Sequence, residues 1–275
     1  MQCLLRPADA FQTEETAAAR SGQLAWASII KSETMIKITY LDHSGFMVTV
    51  PDQAILVFQY YRDPARALHK ELEKHPYLPV VFIDGHHHAN PRNYKPDIFE
   101  IAQNHERVYI LSNDILPQTI PSDLRVAGMS AGDILESLPG IKKIEAFKAD
   151  GKGIGFVVTL PSGKTIYYAG DMVDENPSDS REAQKEDEHF KTCVNRVATE
   201  YPAVDVAMFP VMPEEGKDFG RGANYLLGKI DVKNFFPMQM GGKFTEGCFG
   251  PAYRGESKAE IHCLHDPGQS TELDL

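Results

Sequence analysis

Three adjacent histidines, His86, His87 and His88, follow a run of apolar residues in the segment FIDGHHHANPRNY. Neutral imidazoles suit zinc and related divalent ions, and a carboxylate from elsewhere in the chain can complete the coordination. With a strand ending near Ile83, His86 and His88 lie in the loop at its C-terminal edge, where residues two apart can turn their rings toward one point. The competing reading is a polar surface loop that holds no ion. A second element is TIYYAGDMVDE, in which an apolar strand over 165–169 runs into Gly170 and Asp171. Glycine permits a tight turn or a close backbone approach, so the following carboxylate is presented at a sheet edge; a plain turn or helix-cap aspartate is the alternative. His43, in LDHSGF, falls between two expected strands. It could line the same pocket or orient another ligand, or bond only to its own turn. His105 and His189 are expected on the surface, and nothing marks His262 or His265 as ligands.

The elements that must position these residues begin at Met35. IKITYL and FMVTV carry β-branched and aromatic residues in near alternation, and AILVF, PVVFI and RVYIL are short buried-strand runs. DPARALHKELEKH starts with Asp and Pro, which suits a helix start, and PDIFEIAQNH is expected as a second helix. Further strands are expected at LRVAG, IKKIEAF, IGFVVTL and TIYYAG, with LPSGKT as a hairpin turn. A long polar helix over DSREAQKEDEHFKTCVNRVATEY, a strand at VDVAMFPV, a helix at FGRGANYLLGKI and a strand at VKNFFPMQM follow, and AEIHCL and TELDL close the order. Strands in both halves with helices between them fit two sheets packed on each other with helices outside; periodicity alone also allows a doubly wound sheet. Residues 1–34 read as an N-terminal extension and 35–275 as the domain.

Two other patterns carry little. GMSAG resembles a nucleophile elbow with methionine before the serine, but it lacks a strand-to-helix junction. The G-x-G of ADGKGIGF precedes a strand, not the helix that phosphate binding requires.

Composition narrows the partners. Thirty-nine acidic against 28 basic residues give a formal net charge of −11, which repels phosphate polyanions and argues against nucleic acid. No apolar stretch approaches the roughly 20 residues that span a bilayer, and the first residues carry no secretion signal. Four widely spaced cysteines, Cys3, Cys193, Cys248 and Cys263, read as reduced thiols of a cytoplasmic protein. A small molecule is the expected partner; oligomeric state is open.

The order and spacing of MIKITYLDHSGFMVTV, VVFIDGHHH, TIYYAGD, VDVAMFPV and NFFPMQM resemble the metallo-β-lactamase superfamily, above all a small bacterial hydrolase-like branch that opens with a Y-L-x-H-S-G-F strand pair. The resemblance covers residues 35–250. It implies a four-layer αββα sandwich with a metal-binding groove at one edge of the paired sheets, and hydrolysis of lactams, thioesters, lactones or phosphodiesters without naming a substrate. It also implies an H-x-H-x-D-H motif, a later G-D aspartate that bridges two ions, and a final histidine in a P-M-H loop.

Carried over, the first two histidines fall on His86 and His88; a gapless register leaves only His87, with Gly85 in the first ligand's place. In either register the D-H pair is missing. Asn90 or Arg92 stands at the aspartate, and Asn90, Pro91 or Asn93 at the histidine. Asp171 matches the bridging aspartate, Gln239 of PMQM replaces the last histidine, and Ala149 offers no donor at the intermediate position. Met212 turns another polar groove position apolar. The expectation is at most one ion, zinc or another divalent metal, on His86, His88 and Asp171, or no ion at all. His43, Asn90, Asn93 and Gln239 are then expected to line the pocket. Three functions compete: a metallo-β-lactamase-like fold whose dinuclear chemistry is lost and whose catalysis is weak or absent; a mononuclear hydrolase of an ester, lactone or related small substrate; and an unrelated binding module.

Overall fold

The computed structural model of the protein describes residues 35–86, 96–114, 124–149, 153–172, 181–213, 219–241 and 257–275. The extension expected over 1–34 lies outside them.

Fourteen strands are formed among the described residues, and they build two seven-stranded sheets. The first sheet contains β1 (Met35–Asp42), β2 (Gly45–Val50), β3 (Ala54–Phe58), β4 (Val80–Asp84), β5 (Arg107–Ser112) and β6 (Val126–Met129), with β14 (Ser270–Asp274) beside β1. In the second, β7 (Ile134–Leu138), β8 (Ile141–Lys148), β9 (Ile154–Thr159), β10 (Thr165–Tyr168), β11 (Ala203–Pro210), β12 (Asp231–Met238) and β13 (Glu260–Ile261) lie in sequence order. β3 to β6 run parallel, as do β10 to β13.

Alternation decides which face each residue takes. Ile38, Phe46, Val48 and Phe58 of one sheet meet Phe156, Ile166, Tyr168 and Phe236 of the other in a core between the sheets. There Phe58 stacks on Tyr168 with ring centroids 5.2 Å apart. The outward residues are apolar as well, and helices cover them. Val57 and Phe82 pack under Leu68 and Leu72 of α1 (Ala67–Lys74). Tyr167, Ala207 and Phe209 pack under Phe190 and Val194 of α2 (Arg181–Glu200) and Leu226 of α3 (Arg221–Leu227). The result is the expected four-layer αββα sandwich. No helix among the described residues is long and apolar enough to cross a membrane.

Local chemistry sets the ends of several elements. Asp63 does start the first helix: its carboxylate accepts the N–H groups of Ala67 at 2.7 Å and Leu68 at 2.9 Å, two of the donors a helix start leaves unpaired. The helix expected over PDIFEIAQNH is instead one 3₁₀ turn, Pro96–Phe99. The side chains of Tyr109 and Arg107 donate to the carbonyls of Ile98 and Phe99, which a continuing helix would need. Ala102 then takes a left-handed φ of 56°, so the backbone turns back. The edge strand β7 keeps its register with β8 through Glu136 opposing Lys143 and Leu138 opposing Ile141, yet Ser137 between them takes a left-handed φ of 59°. Ile134 on the same strand is 51% exposed. The expectation of reduced thiols holds for Cys193, which is buried and outside any disulfide, and fails for Cys263, which is disulfide-bonded.

Candidate functional site

The parallel strands of both sheets deliver their C-terminal ends to one rim, the place where open α/β sheets bind ligands. β4 ends at Asp84 and leads to Gly85 and His86; β10 leads through Gly170 to Asp171; β12 leads to Gln239. The β1–β2 turn contributes His43 and Ser44.

Asp171 is the centre of the arrangement. Gln239 Nε2 donates to its Oδ1 at 3.0 Å, and His86 Nε2 lies 3.7 Å from its Oδ2. The His86 side chain is almost wholly buried, while a third of the Asp171 side chain is open to solvent. Two glycines make this approach feasible. A Cβ on Gly170, whose φ is 67°, would come within 2.6 Å of the Ile154 carbonyl oxygen. A Cβ on Gly153 would meet Gly85 O at 2.1 Å and the His86 Cβ at 2.4 Å. The site loop and the start of β9 are therefore pressed together, and the Ile154 N–H donates to Gly85 O at 2.9 Å.

His43 and Gln239 hold each other. Both have left-handed backbones, φ 55° and 61°, and the Gln239 N–H donates to His43 O at 3.1 Å. This bond ties the first sheet to the second at the rim. Non-glycine residues in this region cost free energy and cluster at functional sites. His43 Nδ1 lies 3.3 Å from Ser44 Oγ. Burial lowers the pKa of His43 below 6.5, against the upward pull of Asp42 and Asp171, so its ring is neutral near pH 7.

Asp84 was not a sequence candidate, although an acid closing the apolar run VVFID was a usable signal. It is fully buried, and its Oδ1 has no hydrogen-bond partner among the described residues. Burial raises its pKa from 3.8 to about 7, partly offset by a hydrogen bond from the Tyr60 backbone. The buried Tyr168 phenol senses both Asp84 and Asp171 and donates to Ser44 O at 3.1 Å. Gln59, at φ 43°, accepts the Gly85 N–H on its side-chain oxygen at 2.9 Å and fixes the base of the site loop.

Of the residues read from the sequence, His86, Asp171, Gln239 and His43 are brought to this rim. His87, His88, Asn90 and Asn93 lie outside the described residues. Among the described residues no group of three or more His, Cys, Asp or Glu is placed to hold an ion. The pair that is described fits one ion: two donors sharing zinc at ~2.0–2.2 Å in a tetrahedral shell lie about 3.4 Å apart, close to the 3.7 Å between His86 and Asp171. A divalent ion held there would supply Lewis acidity.

No protein-family model matches the chain, and no curated protein sequence matches it. Among solved structures it is similar to Igni18, a metallo hydrolase from the archaeon Ignicoccus hospitalis, at 18% identity over 88% of this chain and 100% of that one, with a TM-score of 0.59. It is also similar to the metallo-β-lactamase-fold protein YhfI from Bacillus subtilis, at 11% identity over 87% and 99% of the two chains, TM-score 0.48. Sheet order, layers and rim together make this a metallo-β-lactamase fold, as the sequence resemblance implied. At such identity the likeness speaks to fold alone.

Proposed function

We propose that this chain keeps the groove of a metallo-β-lactamase fold as a small-molecule site holding at most one divalent ion, with hydrolysis weak or absent. The supporting observation is the amide of Gln239 on Asp171 Oδ1 at 3.0 Å. A carboxylate that bridges two ions offers a lone pair to each. Here one oxygen receives an N–H, and an amide nitrogen has no lone pair to give a cation. The sequence adds that asparagines, arginine or proline replace the motif Asp and His. The test is metal content after loading with excess zinc or manganese and gel filtration, read beside hydrolysis of ester, lactone and phosphodiester probes. One ion or none, with turnover far below that of dinuclear enzymes, is expected; two ions per chain would overturn the reading.

One observation favours the mononuclear hydrolase as a second reading. His86 Nε2 and Asp171 Oδ2 need close by only a few tenths of an ångström to share an ion. On that reading His88 is the third donor, and both His86→Ala and His88→Ala abolish metal retention and lactone or ester turnover together. Turnover that survives both substitutions would exclude it.

A further inference from the structure

We propose that Arg62 is the anion-recognising residue of this groove and that the ligand carries an oxyanion, a carboxylate or a phosphoryl group. The inference rests on the groove being a small-molecule site, as argued above. The segment that follows β3 is anchored to the site at each step. Gln59 binds the Gly85 N–H through its side chain, and the Tyr60 backbone bonds the Asp84 carboxyl. The Tyr61 ring lies against His43 with centroids 5.5 Å apart, and the Arg62 guanidinium sits 5.4 Å from the Tyr61 ring centroid.

Arg62 also donates through Nε to Asp42 Oδ2, a carboxylate only 13% exposed, while the Arg62 side chain is itself 60% exposed. A free surface arginine samples many rotamers, and ordering it on binding costs affinity. Here Asp42 and Tyr61 have already fixed the head group. The bond to Asp42 uses Nε, and the two terminal amino groups make no hydrogen bond among the described residues, which leaves donors of the planar fork that takes carboxylate or phosphate oxygens. The setting makes the charge informative. The chain carries a net charge of −11, and the groove centre holds Asp171, so an anionic ligand needs a local cation to enter. Arg62 acts on the charge of His43 at that groove, and although Asp42 offsets its net charge, its terminal amino groups supply cationic hydrogen-bond donors to a ligand.

The test is calorimetric titration with inorganic phosphate and, separately, acetate at one low ionic strength, on wild type, Arg62→Gln and Arg62→Lys. Wild type should bind at least one anion saturably. Arg62→Gln should weaken it by about tenfold, the scale of a charged hydrogen-bond pair, and Arg62→Lys should fall between, keeping charge without the fork. A preference for phosphate assigns a phosphoryl ligand, and a preference for acetate a carboxylate. No saturable binding by wild type, or equal affinity in Arg62→Gln, overturns the proposal. Metal content of the same preparations separates the two claims. Two ions per chain with Arg62-dependent anion binding defeats the earlier reading and leaves Arg62 assigned; one ion or none with binding indifferent to Arg62 does the reverse.

Discussion

The two ends of the parallel strands treat buried carboxylates in opposite ways. At the N-terminal ends of β10, β11 and β12, Asp205 is wrapped in donors. The Thr165 N–H lies at 3.0 Å, Lys233 Nζ at 2.6 Å and Lys164 Nζ at 3.5 Å. Burial alone would raise its pKa, but these partners outweigh burial and lower it. At the C-terminal rim Asp84 has an oxygen with no partner among the described residues, and burial raises its pKa to about 7. At the same rim, His43, Gln59 and Gln239 carry left-handed backbones. Asp205 is satisfied by its donors and serves stability. Asp84 keeps one oxygen without a partner among the described residues and a raised pKa, a pattern that recurs at functional sites.

The comparison breaks most readily at Asp205. Asp205→Ala should cost roughly 2 kcal/mol in chemical denaturation, because the lysines can turn to water but the Thr165 N–H loses its acceptor. A loss near zero would mean that the network is ornamental. At the rim, Gln239→His should tighten zinc binding by about tenfold in a chelator competition, since it returns a donor beside Asp171. Unchanged affinity would show that Asp171 and His86 do not face an ion.

The pH dependence of the two acids should have opposite sign. The native state holds the Asp84 proton up to about pH 7, while the unfolded chain releases it near 3.8. Between those values the unfolded state binds fewer protons, so the Asp84 contribution to stability falls as pH rises. Asp84→Asn should therefore match wild type near pH 4 and exceed it at pH 8 by about 1 kcal/mol or more. For Asp205 the contribution is complete above its ordinary 3.8 and fades as pH falls through its lower native value. The smallest effect belongs to Lys164→Met, under about 0.5 kcal/mol, because the pair at 3.5 Å is partly solvated.

Most of the sandwich was legible because its strands sit in a core that rewards alternation. IKITYL and IGFVVTL place successive residues on opposite covered faces, and the hairpin at LPSGKT falls where Gly163 takes φ 86°. The helix over PDIFEIAQNH was misread because the side chains that claim its carbonyls, Arg107 and Tyr109, come from the next strand. At the site, Gly170–Asp171 was readable from a turn at a strand end, and His86 from its type. What was hidden depends on tertiary approach. Gln239 read as a lost ligand, and its bond to Asp171 appears only when β10 and β12 come together. Nothing local in QYYRD shows that Arg62 would be pinned between Asp42 and Tyr61.

The left-handed Ser137 in the edge strand β7 bears on how this molecule behaves in a crowded solution. An exposed isoleucine on an open sheet margin is an invitation for another chain to add itself as the next strand. A left-handed residue on that margin turns its peptide groups out of the extended row with which an incoming strand would pair. Straightening it would give β7 a more regular edge, and so a better template for pairing with another chain.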